Sequence, residues 1–202
     1  MEYIDFHTHR KTAEGVITPR SFGIHPWDAD KETAVDKEQL FAKYADKFKL
    51  AEVIGECGLD KLCKVSMTKQ YDIFVWQLQI ASQQRKPVVV HCVRAFNELM
   101  TLRKEYNSPT PWVVHGFTGS VQLAMQLYKL GIWVSYGSAL TMPQRDKVRQ
   151  SLRNNPHPFL LETDDSDCGI EAVYHAAAKT KEITIEVLSD TIKENYTALF
   201  SL

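Results

Sequence analysis

The sequence predicts an α/β fold, a TIM-like (β/α) barrel of about seven strands, and so a shortened or incomplete one. Three observations predict it. Short apolar runs alternate with amphipathic stretches along the chain. The runs are apolar throughout rather than alternating, as in Pro87-Val88-Val89-Val90, which marks strands covered on both faces in a parallel sheet. Five runs end in residues able to hold a metal ion: His7 with His9, Glu56, His91, His115 and Asp164. In a parallel barrel the C-terminal strand ends converge on one face, where catalytic groups gather. An open doubly wound sheet tends to collect its site at one switch point. Ligand-type residues supplied from the first strand to the last favour the barrel.

The elements follow in order. The first strand is read over 3–7, the second over 20–24, and a helix over 33–47. A third strand over 51–56 leads to a helix over 67–85, in which Ile73, Phe74, Gln77, Leu78 and Ala81 recur at three- and four-residue intervals. Strands over 87–92, 111–116, 131–136 and 158–163 alternate with helices over 94–106, 119–130 and 142–153. Helices over 169–179 and 184–200 close the chain. No low-complexity segment or proline-rich linker interrupts this series, so residues 1–202 are read as one domain, long enough for a substantial core.

Composition narrows the function. An apolar content of 44% with 24% charged residues is that of a globular protein rather than a disordered one. The formal net charge of -1, without a long basic run, gives no support to tight non-specific nucleic-acid binding. No stretch reaches the roughly 18 apolar residues of a membrane span, and Met1-Glu2-Tyr3-Ile4-Asp5 is too acidic for a signal peptide. A cytoplasmic protein with no membrane association and no evident obligate protein partner is expected. Cys57, Cys63, Cys92 and Cys168 lack C-x-x-C spacing. Cys57 and Cys92 directly follow proposed ligands, so on a strand they point away from them, as buried thiols.

His7 and His9 are two apart, so on a strand both leave one face and can bind one ion. Glu56 ends Val53-Ile54-Gly55-Glu56, and a carboxylate there can bridge two cations. His91 and His115 each follow a three-residue apolar run in successive strand–helix units. Asp164, after Leu160-Leu161-Glu162-Thr163, is placed to ligate a metal and to deprotonate an attacking water. Glu162 shares its face and lies deeper, where it would partner a metal-bound imidazole. His25, in Gly23-Ile24-His25-Pro26-Trp27, is a candidate contact to a substrate's leaving group or phosphate, with Trp27 walling the pocket. Arg94, three residues past His91, is a candidate anchor for an anionic substrate. His157, between two prolines before a strand, and His175, within a helix, are left out of the site, and Asp165 and Asp167 are read as solvated loop acids.

The segments Asp5-Phe6-His7-Thr8-His9, Gly23-Ile24-His25-Pro26, Ile54-Gly55-Glu56-Cys57-Gly58-Leu59-Asp60, Pro87-Val88-Val89-Val90-His91-Cys92, His115-Gly116-Phe117-Thr118-Gly119 and Leu161-Glu162-Thr163-Asp164 together resemble the TatD family of metal-dependent hydrolases, which includes deoxyribonucleases. The closing Asn195-Tyr196-Thr197-Ala198-Leu199-Phe200 is also similar. The resemblance implies a TIM-like barrel with two divalent ions, one held by His7, His9, Glu56 and Asp164 and the other by Glu56, His91 and His115. It implies hydrolysis of phosphodiester bonds, with DNA as a possible substrate, by metal-activated water. The donor set suits zinc, manganese, cobalt or nickel more than calcium, and does not distinguish among zinc, manganese, magnesium, cobalt and nickel. Two departures stand out. Only fifteen residues separate His9 from His25, where family members carry a further strand–helix unit, and the loop after Asp164 is short and acidic. Alternative readings are a related barrel hydrolase of a small-molecule amide, lactone or phosphate ester, and a non-catalytic metal-binding descendant.

Overall fold

The structure, a computed structural model, describes residues 2–32, 36–106 and 109–201. Its strands among these are β1 (Tyr3–Ile4), β2 (Val16–Ile17), β3 (Ser21–Phe22), β4 (Val53–Asp60), β5 (Val88–Val93), β6 (Trp112–Val114), β7 (Ile132–Tyr136) and β8 (Phe159–Leu161). The helices are α1 (Ala29–Glu32), α2 (Lys37–Leu50), α3 (Met67–Gln84), α4 (Phe96–Glu105), α5 (Val121–Tyr128), α6 (Asp146–Asn154), α7 (Ile170–Lys181) and α8 (Ile185–Phe200). The expected seven strands become eight. The added one, β2, is two residues long behind Gly15 and pairs in parallel with β1, too short to register as an apolar run. Residues 33–35 of the helix expected over 33–47 lie outside the described residues, and α2 begins after Asp36, whose carboxylate caps the Glu38 and Gln39 N–H groups.

The chain folds as two compact units, Pro19–Val113 and the pair of segments Met1–Thr18 and Val114–Leu202. In the Pro19–Val113 unit the strand order is β3-β4-β5-β6, and the β3–β4 and β4–β5 pairs are parallel. Strand β4 runs four residues beyond Glu56, correcting the expected end there. Gly55 and Gly58 look like turn signals but serve close approach to β5. A Cβ at Gly58 would collide with His91 O, and one at Gly55 with Val89 O. The β4–β5 register shifts between Ile54 and Cys57, then pairs Gly58 with His91 and Asp60 with Val93. Helix α3 packs its buried face on β4, and two glutamines on that face grip the backbone. Gln77 accepts from Ile24 N (2.6 Å) and donates to Ile24 O (3.0 Å), and Gln70 does the same for Asp60 (2.7 and 2.9 Å). Each buried amide thereby satisfies its own polar atoms and fixes a segment beside the site.

In the other unit β7 pairs in parallel with β8, and Phe117 N, just past β6, bonds Ser135 O of β7. β1 continues toward β8 through Phe6 N to Leu161 O and Asp164 N to His7 O, both 2.9 Å. The Tyr174 hydroxyl of α7 brackets Ile4 of β1, accepting from its N–H and donating to its C=O (3.1 and 3.2 Å). Asn195 of α8 donates to Phe159 O of β8 (2.9 Å). Each unit has its own apolar core, Ile54, Phe74, Val88 and Val90 in one and Phe6, Val134, Leu160 and Tyr174 in the other. Cys57, Cys63, Cys92 and Cys168 are free thiols, and burial pushes those of Cys57 and Cys92 well up from their ordinary value, as expected of inert thiols. Among the described residues no helix is long and apolar enough to cross a membrane.

Candidate metal centres

In the unit that contains both β1 and β8, three strand ends deliver ligands. His7 and His9 follow β1, His115 follows β6 directly, and Asp164 follows β8. His7, His115 and Asp164 each present a ligand atom within 4.8 Å of the other two. His9 Nε2 lies 3.5 Å and His7 Nε2 3.8 Å from Asp164 Oδ1. The His7 ring packs edge-on against those of His9 and His115, with centroids 4.9 and 4.6 Å away. Asp164 adopts φ 55°, which aims its backbone back at β1: its N–H donates to His7 O and its C=O accepts from His9 N. Thr8, between His7 and His9, donates its hydroxyl to Asp164 O (3.1 Å).

Two buried acids stand behind these ligands. Glu162 Oε1 lies 3.4 Å from His115 Nδ1 and accepts the Gly116 N–H at 2.6 Å. Burial works to raise the Glu162 pKa, but the hydrogen bond and charge of His115 outweigh it and hold the carboxyl below its ordinary value. A carboxylate at Nδ1 keeps the imidazole proton there and directs Nε2 toward a metal. Asp5 accepts from Thr163 N (2.9 Å) and from the Thr163 hydroxyl (2.6 Å). Burial wins at Asp5 and pushes its carboxyl up to about 6.

In the Pro19–Val113 unit the cluster is His25, Glu56 and His91, again with ligand atoms within 4.8 Å of one another. Glu56 Oε1 lies 2.6 Å from His91 Nδ1 and 3.2 Å from His25 Nε2. His25 Nδ1 accepts the Trp27 N–H at 3.2 Å, so the proton of the neutral ring sits on Nε2 and faces Glu56. Behind His91, Asp60 Oδ2 lies 3.5 Å from Nε2 and accepts the Trp27 indole N–H at 2.7 Å, while Asp60 Oδ1 accepts Leu62 N at 2.7 Å. Burial works to raise the Asp60 carboxyl, but these donors outweigh it and hold the carboxyl below its usual range. Both units thus use one device, a histidine backed by a buried carboxylate.

The structure gathers seven of the eight expected residues into these clusters: His7, His9, His115 and Asp164 in one, and His25, Glu56 and His91 in the other. His25, expected to meet substrate, shares Glu56 with His91. Arg94 stands apart, exposed just past β5 with φ 53°. Asp5 and Asp60 lacked an assigned role. Both have a legible signal, lying two residues from His7 and four from Glu56 on the same strand parity. The donor sets fit divalent metals. Imidazole with carboxylate suits first-row ions, and ligand atoms about 2.1 Å from zinc would stand about 3.4 Å apart, within reach of these clusters.

The sequence matches the family described as TatD related DNase over residues 5–201. It is 32% identical over 152 residues to the uncharacterized metal-dependent hydrolase YjjV of Escherichia coli K12, covering 73% of this chain and 58% of that one. It is 25% identical over 198 residues to the uncharacterized metal-dependent hydrolase YabD of Bacillus subtilis 168, covering 90% and 77%. It is 31% identical over 150 residues to the human 3'-5' RNA nuclease TATDN2, covering 71% of this chain and 19% of that one. The aligned stretch therefore spans less than two thirds of the length of YjjV and a small part of TATDN2. The crystal structure of E. coli YjjV, a TatD homologue, superposes with a TM-score of 0.80 at 25% identity, covering 95% of this chain and 79% of that one. This likeness shows the α/β fold to be of the TIM-like class.

Proposed function

This chain belongs to the TatD-related DNase family, and we propose that it is a metal-dependent hydrolase of phosphodiester bonds, DNA among them. The observation that supports this most strongly is the pair of ligand clusters, each with a histidine backed by a buried carboxylate. The metal-dependent hydrolases YjjV and YabD and the RNA nuclease TATDN2 add support from relatives.

In this reading each cluster holds one divalent ion, His7, His9, His115 and Asp164 the first, Glu56, His91 and His25 the second. Bound divalent cations lower the pKa of coordinated water toward neutrality and polarise phosphoryl oxygens. The residues supply the rest. Asp164, with its side chain 41% exposed, reaches solvent and would accept the proton of the attacking water on the carboxylate oxygen that the ion leaves open. Glu162 and Asp60 fix the ring orientations of His115 and His91. As a ligand His25 would offer Nε2 without its proton, since its Nδ1 is held by the Trp27 N–H. Arg94, exposed beyond β5, draws in the phosphate. The acid loop after Asp164 is partly neutralised, since Arg10 pairs with Asp167 at 2.6 Å and donates to Asp165 O.

The test is metal analysis of purified protein beside a Glu56→Ala variant, with both assayed on single-stranded DNA and a generic phosphodiester. About two ions per chain, and metal-dependent cleavage lost in the variant, is the expected result. Bound metal without cleavage sends the search to other esters or to a non-catalytic role. No metal after reconstitution overturns the proposal.

A further inference from the structure

Among the four tryptophans, Trp76, Trp112 and Trp133 are buried and Trp27 is 59% exposed. Exposed indoles ordinarily rotate freely, but this one is fixed at both ends. Its backbone sits in the short 3-10 turn Pro26–Asp28, and its own N–H is taken by His25 Nδ1. Its indole N–H reaches inward to the buried Asp60 carboxylate at 2.7 Å, and its ring stands edge-on to His25 with centroids 4.9 Å apart. A tryptophan that stabilises a core buries its ring; here the polar edge is buried and the ring faces solvent.

Leu62, 61% exposed, is tethered through its N–H to the other oxygen of Asp60. Arg94 follows Val93, the residue paired with Asp60 across β4 and β5, and the N–H of Lys61 bonds Val93 O. An aromatic face and an apolar neighbour are therefore tied to one carboxylate that also backs His91, and Arg94 follows the residue paired with it. Every nucleobase offers a π-face to such a surface, whereas a duplex keeps its bases stacked inside.

We propose that Trp27 is the stacking platform for the unpaired nucleobase beside the scissile phosphate. This rests on the hydrolase reading only for its cleavage arm. Since the other three indoles are buried, acrylamide-accessible tryptophan fluorescence reports Trp27. Titration of the metal-loaded protein with a short oligothymidylate should shield or quench that emission, and an abasic oligomer of the same length should not. In Trp27→Ala, oligothymidylate affinity should fall roughly 5- to 150-fold, the range of base–aromatic stacking, with partial recovery in Trp27→Phe, which keeps a ring face but loses the bond to Asp60. Equal effects of the two oligomers on fluorescence overturn the proposal. In the cleavage arm, Trp27→Ala should lower kcat/KM more on thymidine 5′-(p-nitrophenyl phosphate) than on methyl p-nitrophenyl phosphate. An equal fall on both makes Trp27 a support for Asp60 and overturns the platform. If the wild type cleaves neither ester, the hydrolase reading fails, and the fluorescence titration decides the platform by itself.

Discussion

Among the described residues four non-glycine residues hold left-handed backbone, Arg85, Arg94, Asp164 and Glu182. Arg85 and Glu182 close α3 and α7, where that conformation is routine. Arg94 and Asp164 have no helix to end, and both are site candidates; such backbone costs on the order of 1 kcal/mol. Asparagine tolerates this conformation nearly as well as aspartate, so Asp164→Asn separates backbone from charge. Its unfolding free energy should stay within about 1 kcal/mol of wild type while hydrolysis falls about 100-fold or more; full activity in that variant removes the general-base role. Arg94→Gly should leave stability equal or raise it by up to about 1 kcal/mol, with KM for an anionic ester increased. Asp5 adds a pH dependence. Its carboxyl titrates near 6 in the fold and near 3.8 when exposed, so the folded state keeps a proton that the unfolded chain has lost. Stability therefore falls as pH rises from about 4 to about 6, by about 3 kcal/mol for this group. Denaturant unfolding of metal-free protein across that window should show the slope reduced in Asp5→Asn; parallel slopes reject the assignment.

At the scale of elements, the β4–β5 pair sets the Glu56–His91 distance of 2.6 Å, and it does so by missing side chains. Gly58→Ala would drive a methyl into the His91 carbonyl at a φ of 147°. A destabilisation of about 2–4 kcal/mol is expected, with weaker metal binding, both measurable by denaturant titration with and without metal. The strands are legible because a short, continuous apolar run bounded by turn residues has little use in a chain of this composition except as a strand covered on both faces. β2 is not, because two residues make no run, and the reach of β4 is hidden because Gly58 reads as a turn until its partner strand is known. Gln70 and Gln77 are hidden by their chemistry: a buried amide looks like surface in a sequence, and the backbone of Ile24 that Gln77 holds is remote along the chain.

For the whole molecule, metal binding becomes stability. An ion at about 100 times its Kd adds about 2.7 kcal/mol per site, which for a chain of this size raises Tm by roughly 5–11 °C. Chelation should reverse the shift, and a Tm indifferent to chelator would argue against both centres. The ligand types are readable as strand-end residues, but the place of His25 beside Glu56 and His91 is not. Glu162 and Asp60 are readable from strand parity, but which histidine each meets depends on the register between strands, which local spacing does not carry.

The second unit, Pro19–Val113, is one continuous stretch, whereas the first is assembled from segments on either side of it. During synthesis the ribosome releases His7 and His9 early, yet Asp164, which their backbones and rings engage, emerges only after the whole second unit has been made. The Glu56–His91 pair can form on the nascent chain while the Asp164 centre waits. On the proposed reading, hydrolysis waits until translation has passed the last ligand.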